Sequence, residues 1–432
     1  MDQIDVVIKS NLPTLKGLPA FEYDLTLRIG QIQFTAARVI AKTVRENYLA
    51  SMFEVTLVTA MITPSQYAQL VLPGHTNIQA TLVKRRPDGS NKKITKYRAI
   101  LADNNNPLLA NNNAYSTRTS EMDMANISVV TFQLISAIDY DLRLRRFQGI
   151  NFKNALPINV LQHLLASNRL VDEYEQSDTV ARISFESKFI EQRFDTIEIN
   201  EGMELLELPN YLQREYGIYN QDLGCYLKNR QWYIFAPYGI AKHSDGGNKI
   251  VIINAPANRW RGSEINYKVE GRTLTILATG EVTHEKSSDA EALNGGTGIR
   301  YADINSLHGG KNTDNPKSNP KDYVTEYASS NYEAGFNNIP TAPGGFVANP
   351  AIYASQLSRR GGDIVEVIWE RGDIALLTPG AAVRFITQNG PNIRDLQGTL
   401  IGAEEHSNVP EGGITETKHV GMVKMTLFLK KV

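Results

Sequence analysis

Two widely separated stretches of this chain run through the same series of elements. The first reads Leu70-Val71-Leu72-Pro73-Gly74, an alternating segment Ile78–Lys84, a turn at Pro87-Asp88-Gly89, then alternating segments Ile94–Leu101 and Ile127–Ile135. The second reads Leu376-Leu377-Thr378-Pro379-Gly380, Ala381–Thr387, a turn at Asn389-Gly390-Pro391, then Leu396–Ala403 and Val420–Leu429. Period-two alternation makes each copy a β unit, and a duplicated β unit calls for the same sheet twice. An Asn-rich loop starting at Asp103-Asn104-Asn105-Asn106 extends only the first copy. The simplest architecture is mainly β: two tandem barrels interrupted by smaller α+β insertions.

The rest of the pattern fills in this frame. Alternating runs Tyr23–Arg28, Ala37–Val44 and Glu54–Thr59 precede the first copy. Thr63 caps a short helix that has Pro64 at its first position. Ile127–Arg143 reads as one long strand. Residues 155–240 change texture: Pro157 opens a helix with Ile158, Leu161, Leu164 and Leu165 on one face, and a second helix spans Met203–Tyr216 with a kink or split expected at Pro209. A hairpin follows, Gly224–Leu227 against Gln231–Phe235. Strands resume at Lys249–Ile253, Glu264–Val269 and Thr273–Ala278. From His284 to Pro350, Gly, Asn, Ser and Pro dominate without apolar period, which reads as a long functional loop or a mobile segment ordered only against a partner. A short helix at Ile352–Arg359 leads into closing strands at Ile364–Trp369, Ala381–Thr387, Thr399–Ala403 and Val420–Leu429. The expected division is therefore a first barrel at 1–150, an α+β module at 151–245, a second barrel from 246–283 and 360–432, and a Gly/Asn-rich insertion at 284–359. The length of 432 residues accommodates this division.

Chemistry is hard to find in this sequence. The 45 basic and 46 acidic residues leave a net charge of −1, which supplies no phosphate-binding excess. A lone cysteine, Cys225, excludes an internal disulfide framework and multi-cysteine metal sites, and it reads as a small buried residue. The histidines, at 75, 163, 243, 284, 308, 406 and 419, show no metal-binding spacing. Gly295-Gly296-Thr297-Gly298 follows no strand and lacks the Gly-Lys-Ser/Thr ending of a phosphate loop, and no nucleophile elbow occurs. Acidic pairs such as Glu404-Glu405 and Asp172-Glu173 read as solvated loop charges, as do Lys84-Arg85-Arg86 and Lys92-Lys93 beside their turn. Arg143 and Arg145 would share a strand face and suit a salt bridge across a subunit interface as readily as a nucleic acid contact. The start, Met1-Asp2-Gln3-Ile4-Asp5, has no signal-peptide character, and the most apolar run, Ile127–Ile138, is broken by Ser128, Thr131, Gln133 and Ser136. It is too short and too polar to span a membrane. No catalytic, cofactor-binding or metal-ligating residue is assigned, and no enzymatic activity is expected.

A resemblance supplies the positive reading. The segment Gly372-Asp373-Ile374-Ala375-Leu376-Leu377-Thr378-Pro379-Gly380-Ala381-Ala382-Val383-Arg384-Phe385 has a strand–Leu-Thr-Pro-Gly–strand form. It resembles the central baseplate hub proteins of contractile-tailed bacteriophages. Thr399–Ser407, the closing strand Val423–Leu429, and Leu205-Leu206 with Tyr211-Leu212 through Glu215-Tyr216-Gly217 into Trp232-Tyr233-Ile234-Phe235 are similar to that family as well. The likeness covers about half the chain, and the 284–350 segment departs from it. It implies two tail-tube-like β-barrels per chain and a homotrimer whose six barrels continue the tail tube. The implied partners are the tail tube protein, the central spike protein, other baseplate proteins and the tape measure protein. Genomic DNA would pass through the lumen without specific binding. The implied location is the virion tail baseplate, after synthesis in the host cytoplasm. Two rivals remain open on the residues alone. One is a carbohydrate or host-surface binding module using Tyr301, Tyr323, Tyr327, Tyr332, Phe336 and Phe346, and the other is a cell-wall hydrolase with a dispersed carboxylate pair.

Overall fold

The computed structural model describes residues 3–11, 16–17, 20–49, 55–63, 65–66, 69, 77–87, 89, 92–103, 128–239, 247–255, 265–285, 358–359, 361–389, 392–409 and 418–430. The motif Pro73-Gly74, nearly all of the 284–350 segment with its aromatic residues, and most of the 352–359 helix lie outside them.

The fold is mainly β with helical insertions. Six strands of the first unit, Glu22–Ile29, Arg38–Asn47, Val55–Ile62, Ile78–Arg85, Lys93–Asp103 and Ser128–Ser136, enclose one core. Every second residue of Glu22–Ile29 points inward, so Tyr23, Leu25, Leu27 and Ile29 meet Val58, Ala60, Ile62, Ile78, Ala80, Leu82 and Phe132. Six strands of the second unit close into a barrel: Lys249–Asn254, Thr273–Glu285, Gly362–Glu370, Val420–Lys430, Asn392–Asn408 and Ala382–Asn389, in that order around it. Its interior holds Ile252, Ile276, Val367, Trp369, Phe385, Met425 and Leu427.

The duplication seen in the sequence is a duplication of topology. In the first unit, Arg38–Asn47, Val55–Ile62, Ser128–Ser136, Lys93–Asp103 and Ile78–Arg85 are successive antiparallel neighbours. In the second, Thr273–Glu285, Gly362–Glu370, Val420–Lys430, Asn392–Asn408 and Ala382–Asn389 repeat that spatial order in the same chain order. The sixth strands differ. Glu22–Ile29 lies antiparallel to Ile78–Arg85, whereas Lys249–Asn254 lies parallel to both of its neighbours. Parallel strands need both faces covered. The helix Gln3–Asn11 supplies the second cover by setting Ile4 and Ile8 against Ile253, Leu277 and Ile386 on the outside of the barrel.

Local rules explain several departures from the sequence reading. The strand expected over Ile127–Arg143 stops at Ser136, whose side chain accepts the Asp139 amide at 3.0 Å and caps a helix, Ala137–Leu144. Arg143 therefore sits on that helix, and Arg145, just past its end, pairs with Asp141 of the helix and does not share a strand face with Arg143. The stretch expected as one helix around Pro209 is split, not kinked, and its first part is not α-helical. Phe194–Glu204 is a strand, a single 3-10 turn follows at Leu205–Glu207, and Pro209 stands at the start of Leu208–Glu215, where its missing donor costs nothing. The helices expected from Thr63 and from Pro157 both have the expected starts. Thr63 and Gln66 exchange the reciprocal hydrogen bonds of a capping box, and Pro157 opens Pro157–Ser167. The hairpin Gly224–Lys228/Gln231–Phe235 turns through Asn229 and Arg230, both at positive φ as a two-residue turn of this hand requires.

Residues 137–238 build a third core around Leu161, Leu165, Ile197, Leu208, Leu212, Tyr219 and Trp232. Cys225 is buried there, and burial pushes its thiol well above the ordinary range, so it is a packing residue and not a nucleophile.

Candidate functional site at the junction of the two units

The site is built by one long strand. Asn392–Asn408 pairs with Ala382–Asn389 as far as Thr399, and the backbone of Leu400 still bonds with Gly380 and Ala381. Beyond that point its edge leaves its own barrel. Gly402–Asn408 then pairs antiparallel with Ala41–Asn47 of the first unit, so the two units share one continuous sheet. Its other edge stays paired with the closing strand Val420–Lys430 from Gly398 to Asn408.

Alternation sends the side chains of this seam to two faces. On the buried face, Lys42 Nζ lies 2.8 Å from Glu405 Oε2. Glu46, on the same face of the same strand, accepts from the Tyr48 hydroxyl and from Lys228 Nζ at 2.7 Å, and Lys228 also donates to the Ile374 carbonyl at 2.9 Å. Lys228 belongs to the module hairpin, so this one carboxylate ties the first unit to the module, and Lys228 ties the module to the second unit. Tyr226 of the hairpin packs edge-on against Tyr48. Nearby, Lys84 reaches Asp373 at 3.2 Å and lies over the Phe21 ring. Burial alone would raise the Asp373 carboxyl, but the Lys84 ammonium and the Ala375 amide outweigh it and hold it below the usual carboxylate range. His419 is buried against Tyr23, with Nε2 at 3.0 Å from the Val39 carbonyl and Nδ1 at 3.5 Å from that of Ser407. Burial lowers its basicity despite these two acceptors.

The outer face carries a row of alternating charge across the same seam: Arg45 on Glu404, Glu404 at 3.9 Å from Lys424, and Lys424 at 3.1 Å from Glu366. His406 Nε2 lies 3.1 Å from Glu404, and its Nδ1 faces the Thr43 hydroxyl.

The module is also fastened elsewhere. Arg98 makes two hydrogen bonds to Glu173 and stacks on Tyr140. Phe235 packs against Gly380, where a Cβ would stand 2.4 Å from the ring. Tyr238 covers Phe428, which points outward from the closing strand, opposite Leu427 and Leu429.

Three sequence expectations are corrected here. Glu405 lies in a strand and is 2 % exposed, so Glu404-Glu405 is not a solvated loop pair. Lys84 is paired and half-buried, and Arg85 holds Glu22 and Asp24, so this basic run is not simply solvated. Glu173 is engaged by Arg98, while Asp172 caps the amides of Tyr174 and Glu175. The ion pairs themselves escaped the sequence reading because their members lie far apart in the chain, from 63 residues for Arg85 and Glu22 to 363 for Lys42 and Glu405. The available signal was a charge at Lys42 and Glu46, in phase with the inward Val44.

Chemically, the arrangement fastens three pieces of one chain together. Among the described residues, no three His, Cys, Asp or Glu side chains gather as a metal site would require, and no helix is long and apolar enough to cross a membrane.

No protein-family model matches the chain, and no curated protein matches it. Among solved structures it is similar to the 43 kDa tail protein of prophage MuSo2 from Shewanella oneidensis, with 10% identity and a TM-score of 0.37 over 94% of this chain and 96% of that one. It is also similar to a chain of the phage P2 baseplate in its activated conformation with Ca, with 7% identity and a TM-score of 0.26 over 94% of this chain and 98% of that one.

Proposed function

We propose that this chain is a structural baseplate hub of a phage tail or related contractile injection machine. It joins the hexameric tail tube to the trimeric central spike and surrounds the channel through which DNA passes. The observation that carries this reading is the fusion, edge to edge through one sheet, of two β units with the same strand order. A chain with two equivalent units converts threefold symmetry on one side into quasi-sixfold symmetry on the other, because three copies present six units. In this reading 1–150 and 246–283 with 360–432 are the two tube-like units, 151–245 is a module fastened beside them, and 284–359 is an insertion. The chain has no catalytic role and works as a homotrimer in contact with tube, spike, tape measure and other baseplate proteins. The extensive ion-paired seam supports the reading, since a hub must hold its two units in fixed relation under load.

Electron microscopy of the purified protein tests this, together with light scattering on the same fractions. Rings of three subunits with an open centre are expected. A closed dimer, or a particle of any size without a central opening, overturns the hub.

A further inference from the structure

The inserted module carries two sheets whose edges are comparable strand by strand, because residues 128–239 are all described. One is the ribbon Arg146–Ala155 with Phe194–Glu204, and the other is Arg182–Phe185, Gln231–Phe235 and Gly224–Lys228 in that order. An open edge invites pairing with another chain, and natural proteins blunt or cover such edges. Three of the four edges of these sheets are closed. On Phe194–Glu204, the Tyr211 hydroxyl donates to the Glu198 carbonyl at 2.8 Å and the Tyr216 hydroxyl accepts the Glu198 amide at 3.1 Å. Arg146–Ala155 is interrupted by positive φ at Gly149 and Asn154, and Arg193 donates to the Asn154 carbonyl at 3.0 Å. Gly224–Lys228 is turned into the seam, where Tyr226 meets Tyr48 and Lys228 meets Glu46.

The fourth edge, that of Arg182–Phe185, takes no strand among the described residues. Its inner side is fixed: the Arg182 and Glu186 amides donate to the Arg230 and Ile234 carbonyls at 3.2 and 3.0 Å. Backbone groups alternate from side to side along a strand, so the amides and carbonyls of Ile183 and Phe185 point away from the sheet. Ile183 packs on the module core, whereas Phe185, on the same face, is 46 % exposed, and Val180 just before the strand is 61 % exposed. Arg182, on the opposite face, and Lys188, just past the strand, are exposed and make no ion pair among the described residues. The acid between them, Glu186, is turned inward onto the Ala236 amide.

We propose that this edge takes up an extended, acidic segment of a partner protein as an added strand. Ile183 and Phe185 offer two amide donors and two carbonyl acceptors. Main-chain bonds of this kind supply affinity, and the side chains on alternate positions supply specificity. An apolar side chain of the incoming strand lies beside Phe185, and an acidic one beside Arg182. Those positions are on opposite faces, so the segment carries its apolar and acidic residues at odd spacing. Lys188 favours a further acid at that end. The proposal is independent of the ring reading, because a single copy carries the whole edge.

The test measures fluorescence anisotropy of two short, end-capped peptides with the full chain, one alternating valine with aspartate and the other valine with lysine. The aspartate peptide is expected to bind, and the lysine peptide to bind many-fold more weakly. Phe185→Ala, which keeps the outward amide, is expected to weaken the aspartate peptide several-fold. Phe185→Pro, which removes that amide, is expected to abolish binding, with circular dichroism checking that the variant folds. Arg182→Glu changes only an exposed side chain and is expected to reverse the preference between the peptides, which keeps the test decisive if the proline variant misfolds. Equal binding of the two peptides, no binding of the aspartate peptide, or binding that survives in folded Phe185→Pro overturns the proposal. Self-association of the protein that Phe185→Pro abolishes gives the edge to a second copy and overturns it as well.

Discussion

The Lys42 ammonium and the Glu405 carboxylate stand 2.8 Å apart on neighbouring strands that belong to different β units. Both are nearly withdrawn from water, so the pair is a joint between units whose value depends on its being complete. Removing one member leaves a buried charge without its neutralising neighbour, which costs about 3–5 kcal/mol, whereas replacing both with apolar side chains of similar volume is often close to neutral. Lys42→Met and Glu405→Leu are each expected to lower stability by about that amount. The double change to Met and Leu is expected to recover most of it. Denaturant titration of the four proteins in a double-mutant cycle measures the coupling, and additive losses would show that the pair does not act as a unit.

Acid is expected to loosen the junction in two stages. Burial holds His419 below its ordinary pKa, so the unfolded chain takes up that proton more readily than the folded one. Its contribution is present above the unfolded value, about 6.5, and falls away as pH drops below it. Asp373 is depressed by Lys84 against the opposing effect of burial, so its contribution is present above the unfolded carboxylate value, about 3.9, and is lost as pH falls through the lower folded value. Stability measured from pH 8 to pH 3 is expected to decline first near neutrality and again in acid. His419→Gln is expected to flatten the first decline and Asp373→Asn the second.

Gly380 ends the Leu-Thr-Pro-Gly segment with φ at +65°, and the Phe235 ring fills the place where a Cβ would stand. A side chain there meets backbone strain and a blocked seat for the module at once. Gly380→Ala is expected to cost about 1–3 kcal/mol from the backbone alone, and more from displacement of Phe235. The double variant with Phe235→Leu separates the two, because it relieves the ring contact and leaves the strain. A thermal midpoint unchanged by Gly380→Ala would mean that the module is not seated on this turn.

What could be read from the sequence was local. The alternation of Tyr23–Arg28, the turn between Gly224–Lys228 and Gln231–Phe235, and Pro157 at a helix start are set by neighbours within a few residues, and the duplicated order of strands follows from repeating those local patterns. Ser136 was missed because Ile127–Ile135 alternates so strongly that the pattern carried over a capping residue with Asp139 three positions on. The stretch before Pro209 was misread because a strand and a 3-10 turn resemble a helix when read only for apolar spacing. The junction was hidden for a different reason. Lys42 and Glu405 are joined by topology, as are Glu46 and Lys228, and in one dimension each looks like an ordinary surface charge. The hydrophobic face of Val423–Leu429 was plain, but the cover over Phe428 comes from Tyr238, far away in sequence.

The two faces of the seam are expected to respond differently to salt. The outer row of Arg45, Glu404, Lys424 and Glu366 is partly open to water, and such pairs contribute about 0–1 kcal/mol each and are screened within about 10 Å at 0.1 M salt. The inner pairs of Lys42 with Glu405 and Lys228 with Glu46 are shielded by the cores around them. Lys424→Gln is expected to cost little at low salt and less as salt rises. Lys228→Met is expected to cost several-fold more and to keep most of that cost at 1 M salt, because screening ions do not enter the buried face. The buried lysine also seats the module, so limited proteolysis should release fragments of residues 137–238 from Lys228→Met and not from Lys424→Gln. Equal salt dependence of the two variants would place the inner pairs in contact with solvent and remove the argument that the seam is a rigid joint.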